Sequence, residues 1–270
     1  MQLRDSTVLL TGATGGLGAA MARALRAKGA NLVLTGRNRA LLDPLAEELG
    51  AVAAPCDLTD RVALNALLEE YRGVDALIAN AAVPATGLLD SFTEEELDRI
   101  VAANLTAPIQ MARALVPAMV ERGRGHVVVV SSLSGKVASP ASSMYSATKF
   151  GVRGFAFGLR QDLEGTGVGV SVVSPGFIRD AGMFAKTLAN AGGDDVLPPG
   201  VGTCTPEQVA NATVDAILRD RFEVTVAPLP MRVGATFGLA FPRVAAKTQK
   251  LSGAKEISEK VANAQAGWRS

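Results

Sequence analysis

Short runs of β-branched and aliphatic residues alternate with longer amphipathic stretches along most of this 270-residue chain. No other feature constrains the fold as strongly. Thr7–Leu10, Asn31–Thr35, Ala51–Pro55, Asp75–Ala79, His126–Val130, Val168–Val173 and Glu223–Ala227 read as strands. Between them Gly16–Gly29, Arg39–Leu49, Asp60–Tyr71, a long stretch from Thr93 to Ala118, Met144–Leu163 and Pro206–Leu218 read as helices. Thr93 with Glu96 fits a capping box, and Pro108 and Pro117 have to bend or divide that long helix. Helices of this length between strands imply right-handed crossovers and parallel pairing. The expected fold class is α/β, with one doubly wound parallel sheet of about seven strands and helices on both faces. The valine run after His126 suits a strand buried on both sides.

Composition narrows the function classes. Lys and Arg total 27 against 26 Asp and Glu, a net charge of +1, so no strong global pull toward nucleic acid or anionic lipid is expected. Two cysteines, Cys56 and Cys204, cannot build a disulfide framework and read as thiols in a reducing compartment. One histidine, His126, and no close cysteine pair give no metal site; His126 reads as a strand-edge residue. The N-terminus has no signal-peptide pattern, and no charge-free apolar run reaches about 18 residues. A cytoplasmic protein is expected.

Residues 1–230 read as one catalytic unit. Within it, Ala181–Thr205 is rich in glycine and proline and reads as a substrate lid, with a plain surface loop as the alternative. Residues 231–270 are a basic extension; from Pro228 onward seven basic residues face two acidic ones, a net +5. The tail is read as a helix covering the sheet edge with a frayed end. A partner subunit or an anionic membrane surface is the alternative occupant.

The run Thr11-Gly12-Ala13-Thr14-Gly15-Gly16-Leu17-Gly18 ends the first strand and opens the first helix. At that place glycines let the backbone approach a pyrophosphate, and unpaired helix N–H groups favour its charge. Its T-G-x-x-x-G-x-G spacing resembles the short-chain dehydrogenase/reductase family, and the resemblance extends over about residues 5 to 230. Further motifs agree in order: Cys56-Asp57-Leu58, Asn80-Ala81-Ala82-Val83, Asn104, Ser132, Tyr145-Ser146-Ala147-Thr148-Lys149 and Pro175-Gly176. The resemblance implies a Rossmann-type fold, a nicotinamide cofactor and a homo-oligomer, dimer or tetramer. It assigns cofactor binding to Gly12, Thr14, Gly16, Leu17, Gly18, Asp57, Leu58, Asn80, Tyr145, Lys149, Pro175, Gly176 and Ile178. Asp57 would meet the adenine amino group, and the Ile178 backbone the carboxamide.

The residue closing the second strand reads the adenosine ribose, and a carboxylate there favours NAD. This chain has Gly36 followed by Arg37, Asn38 and Arg39. Arg37 can clasp a 2′-phosphate, so NADP(H) is expected; solvated loop charges are the alternative. By resemblance Tyr145 is the acid on the carbonyl oxygen, Ser132 holds that oxygen, and Asn104 anchors a water relay. Lys149, one helical turn from Tyr145, is expected to lower the phenol pKa and to bond the ribose.

Two positions depart from the family pattern: Asp180 stands where a threonine is usual, and Ala82 where a glycine is. Ser134, Val137, Ala138, Met144, Phe177, Met183 and Phe184 are the candidate substrate wall, mostly apolar, so a small hydrophobic carbonyl or alcohol is the expected substrate. The competing readings are a non-catalytic NADP(H) sensor with the same fold and a peripheral membrane reductase.

Overall fold

The computed structural model describes residues 1–179, 202–251 and 254–266. Seven strands among them form one sheet: β1 (Thr7–Thr11), β2 (Asn31–Thr35), β3 (Val52–Ala53), β4 (Ala76–Ala79), β5 (Gly125–Val130), β6 (Val168–Pro175) and β7 (Glu223–Val226). Their order is β3-β2-β1-β4-β5-β6-β7, and every adjacent pair is parallel. The chain reverses its direction of travel between β1 and β4. In such sheets the ligand crevice lies beyond the carboxyl ends of the strands at that switch point.

Residues alternate between the two faces, as the period of a strand requires. Val8, Leu10, Leu32, Leu34, Ile78 and Val128 pack with α1 (Gly16–Arg26), α2 (Arg39–Leu49) and α7 (Pro206–Leu218). Leu9, Val33, Leu77, Val127, Val129 and Val172 pack on the other side with α3 (Arg61–Glu70), α5 (Ala107–Glu121) and α6 (Ser143–Asp162). Both faces are apolar because both are covered, which is why the strands read as near-continuous hydrophobic runs.

Three elements differ from the sequence reading. The third strand shrinks to two residues on the sheet edge, a short edge that offers little template for pairing. The long helix divides into α4 (Glu94–Val101) and α5, joined by a π-helical turn at Ala102–Thr106. Pro108 lacks an N–H, so the carbonyl of Asn104 loses its α-helical donor and the ladder shifts register there. Pro117 stays inside α5 and divides nothing.

The tail is the third difference. It forms α8 (Leu229–Ala240), α9 (Pro242–Leu251) and α10 (Ala254–Ala266). These helices do not simply cover the sheet edge: Gln249 Nε2 donates to the Ala138 carbonyl at 3.0 Å, and the Thr86 N–H donates to Gln265 Oε1 at 3.4 Å. Thr86 and Ala138 lie on the loops after β4 and β5, at the crevice end of the sheet. The expected lid lies outside the described residues up to position 201, as do Asp180, Met183 and Phe184. Beside that segment Ile178 pairs with Cys204, the Cys204 N–H donating to the Phe177 carbonyl at 2.8 Å.

Candidate active site

The glycine turn is built so that backbone approaches backbone. Gly12 has φ +65°, and a Cβ there would stand 2.8 Å from the Ala81 Cα. A Cβ on Gly18 would strike the Gly12 carbonyl and stand 2.9 Å from the Ala13 Cα, so α1 can seat against the turn only with glycine at that place. The N-cap of α1 is Gly15, which offers no side-chain acceptor, and the first turn has no acidic residue. Its first N–H groups and positive dipole end are left to an anion. Gly15 and Gly16 are exposed. The turn therefore fits a dinucleotide pyrophosphate.

Thr11 and Asn80 hold this turn to β4. The buried Thr11 hydroxyl accepts from the Asn80 and Ala81 N–H groups, both at 3.0 Å. Asn80 Nδ2 donates back to the carbonyls of Thr11 at 2.9 Å and Gly12 at 3.2 Å. The Asn80 amide is thus used to shape the turn. Asn104, buried in the π-helical turn, is committed in the same way: its Oδ1 accepts from the Val83 N–H at 2.7 Å and its Nδ2 donates to the Val83 carbonyl at 3.0 Å. Pro108, having no N–H, cannot donate to the Asn104 carbonyl.

Ser132, Tyr145 and Lys149 converge beyond the end of β5. Ser132 starts a short 3₁₀ turn, its Oγ accepting from the Ser134 N–H at 3.1 Å. Ser131 faces the other way and donates to the Lys149 carbonyl at 2.9 Å, which pins this turn to α6. Gly135 makes that approach possible, because a Cβ there would lie 2.7 Å from the same carbonyl oxygen. The sequence reading assigns no role to Ser131 or Gly135; the glycine four residues after Ser131 is the signal that could have found the pair.

Lys149 is buried, and its Nζ donates to the Val130 carbonyl at 2.9 Å, 5.7 Å from the centre of the Tyr145 ring. Burial pushes its pKa down to about 8. Tyr145 departs from expectation: burial raises its pKa, opposed by hydrogen bonding to the Ser132 hydroxyl. Desolvation of a phenolate outweighs the neighbours that favour it. Met144 and Tyr145 also pack against an apolar cluster of Ala85, Phe92 and Ile100.

Beyond β6 the Gly176 N–H donates to the Val226 carbonyl at 2.9 Å. In the bridge with Cys204 the bonds run through the Phe177 carbonyl and the Arg179 N–H. The Ile178 N–H and carbonyl are not used by that bridge and point to its other side.

Residues 6–192 match the family description "short chain dehydrogenase". The chain belongs to the short-chain dehydrogenase/reductase family. It is 36% identical over 243 residues to "Ketoacyl reductase HetN" of Nostoc, covering 87% of this chain and 83% of that protein. It is 34% identical over 245 residues to "Dehydrogenase/reductase SDR family member 7B" of Bos taurus, covering 84% and 75%. A solved short-chain dehydrogenase from Sphingobium yanoikuyae in complex with NADPH superposes with a TM-score of 0.73 at 29% identity, covering 93% of this chain and 94% of that one. As a short-chain dehydrogenase/reductase the chain is an oxidoreductase with the Rossmann-type α/β fold.

In this family member the end of β2 carries exposed Arg37, while Asn38 caps α2 by accepting from the Ala40 N–H at 3.0 Å. Asp57 accepts through one oxygen from the Thr59 N–H at 2.9 Å and hydroxyl at 2.7 Å. Its burial opposes ionisation, but these bonds and the charges of Arg37 and Arg99 hold its pKa below the usual value. Leu58 packs on the core beside it. Cys56 is buried, its thiol pushed up to about 11 by burial and by Asp57 and Asp60, so it is a poor nucleophile.

His126 lies inside β5 and is fully buried, not at an edge. Its Nε2 meets the Ser171 Oγ at 2.8 Å. That hydroxyl donates to the Arg221 carbonyl at 2.6 Å, so the histidine is the donor in the pair. A groove of about 960 Å³ runs past His126, Arg160 and Asp220 at the opposite end of the sheet from the glycine turn. Arg160 and Asp220 neutralise each other there at 2.8 Å. No helix of the described residues is long and apolar enough to cross a membrane.

Proposed function

We propose that this protein transfers hydride between NADP(H) and a small hydrophobic carbonyl or alcohol, with Tyr145 as the proton donor and acceptor. The observation that carries the reading is the convergence of Ser132, Tyr145 and Lys149 beside the crevice end of β5, at the same end of the parallel sheet as a glycine turn that fits a pyrophosphate. Gly12, Thr14, Gly16, Leu17 and Gly18 would hold the pyrophosphate, Asp57 and Leu58 the adenine end, and Arg37 the 2′-phosphate. Asn80 would hold the turn in shape, and Pro175, Gly176 and the Ile178 backbone would flank the nicotinamide. The bound cofactor supplies or accepts the hydride.

The protein supplies the proton. A phenol whose pKa is raised by burial stays protonated at neutral pH and can donate to the oxygen of a carbonyl as that oxygen gains negative charge. The Ser132 hydroxyl would hold the same oxygen. Lys149, positioned by Val130, puts a positive charge beside the phenolate left behind, so it favours the product side of the transfer. By the family resemblance, Asn104, to whose carbonyl Pro108 cannot donate, would hold a water that returns the proton from solvent through Lys149. General acid–base assistance of this kind contributes roughly 10²–10⁴ in rate.

NADP(H) is supported by Arg37, by the lack of a carboxylate at Gly36, and by the NADPH complex of the Sphingobium relative. An apolar substrate is supported by Val137, Met144 and Phe177, and the Nostoc relative's name agrees with an acyl carbonyl. The test is purified protein with a panel of apolar aldehydes, ketones and 3-oxoacyl esters, followed by loss of reduced-nicotinamide absorbance. Turnover with NADPH is expected. Tight NADPH binding with no turnover on any class would favour the non-catalytic sensor.

A further inference from the structure

We propose that the outer face of α8 and α9 docks this protein on an anionic lipid surface. Helix α8 is buried on one side by small or flexible residues, with Ala235 and Gly238 packed inward. A Cβ on Gly238 would meet Val137 Cγ2 at 3.0 Å, and the end of the Met231 side chain reaches Gly176. The bulk of the helix points outward instead. Leu229, Val233, Phe237 and Phe241 recur every fourth residue and are 68%, 60%, 49% and 53% exposed. They form one row about 18 Å long at 1.5 Å per residue. The last two rings touch, with centroids 4.8 Å apart. A continuous row of large exposed apolar side chains marks an interaction surface.

Charge selects the occupant. From Leu229 to Leu251 there are four basic residues, Arg232, Arg243, Lys247 and Lys250, and no acidic one. All four are exposed, and none is ion-paired among the described residues. A second copy would bring the same positive face and repel it. An apolar row flanked by basic side chains suits a helix lying in the headgroup region of anionic lipid. The same helices pack on the loops after β5 and β6, so docking would turn the crevice mouth toward the lipid. Delivery of an apolar substrate from that lipid would rest on the proposed function; the docking does not.

The test is co-sedimentation of the full chain with vesicles of phosphatidylglycerol and phosphatidylcholine, and with phosphatidylcholine alone, with sedimentation velocity of the protein by itself. Binding is expected to the anionic vesicles and to weaken steeply with salt. Phe237→Ser with Phe241→Ser should reduce the affinity by about tenfold or more. Arg243→Gln with Lys247→Gln should reduce it about tenfold, on anionic vesicles only. Unchanged thermal melting of both variants keeps the reading clear of misfolding. No binding to anionic vesicles overturns the proposal, whether the row is then found buried in a self-association or awaits an acidic protein. Equal binding by the Phe237/Phe241 variant overturns it as well. The readout needs no turnover, so failure of the proposed reaction would leave it standing.

Discussion

The Lys149 ammonium stands 5.7 Å from the centre of the Tyr145 ring, one helical turn along α6, and is fixed there by the Val130 carbonyl at 2.9 Å. A hydrogen bond from a charged donor contributes about 1.5–3 kcal/mol, enough to offset part of the cost of burying the charge. The arrangement keeps a cation beside a phenol that burial holds neutral.

Carbonyl reduction should slow at alkaline pH. Burial lowers the Lys149 pKa to about 8, so the charge is present below that pH and lost above it. The kcat/KM for reduction should therefore be level near neutrality and fall tenfold per pH unit well above 8. A profile that stays level to pH 10 would mean that the Lys149 charge has no part in proton transfer.

Arg37→Ala should separate the two cofactors. Losing a charge-assisted contact of about 1.5–3 kcal/mol raises the KM for NADPH roughly tenfold to a hundredfold. The KM for NADH should change little. Equal changes for both would return Arg37 to the role of a solvated loop charge.

Acid should destabilise the fold through His126. Its pKa drops from 6.5 to about 4, chiefly by burial, so protonation favours the unfolded chain. The group's contribution is complete above pH 6.5 and is lost as the pH falls from 6.5 toward 4. The loss over that window amounts to about 3 kcal/mol. His126→Gln keeps a donor for Ser171 and does not titrate. Its melting temperature, measured across the same window, should fall less than that of the parent chain; parallel curves would exclude His126 as the acid-sensitive group.

The sheet and its helices were legible because their signals are local. Val8, Leu9 and Leu10 announce a strand covered on both faces, and Thr93 with Glu96 forms the capping box that their spacing implies. Pro108 was legible as a break, but its consequence was not: the break falls on Asn104, whose side chain pairs with Val83, 21 residues away. No local pattern encodes that partner. Asn80 is similar, because its bonds to Thr11 and Gly12 depend on β1 and β4 being neighbours. The pKa of Tyr145 was read from the nearby charge of Lys149, whereas burial, a property of the packed molecule, sets its direction. The tail was legible as basic and apolar, but only the fold tells that its helices meet the loops at Thr86 and Ala138.

One phenol acts as the proton donor in the proposed reaction, and Tyr145→Phe tests that role most directly. With the best carbonyl substrate and saturating NADPH, kcat should fall by roughly 10²–10⁴ while NADPH still binds with near-parental affinity. A variant that turns over at the parental rate would contradict the assignment of Tyr145.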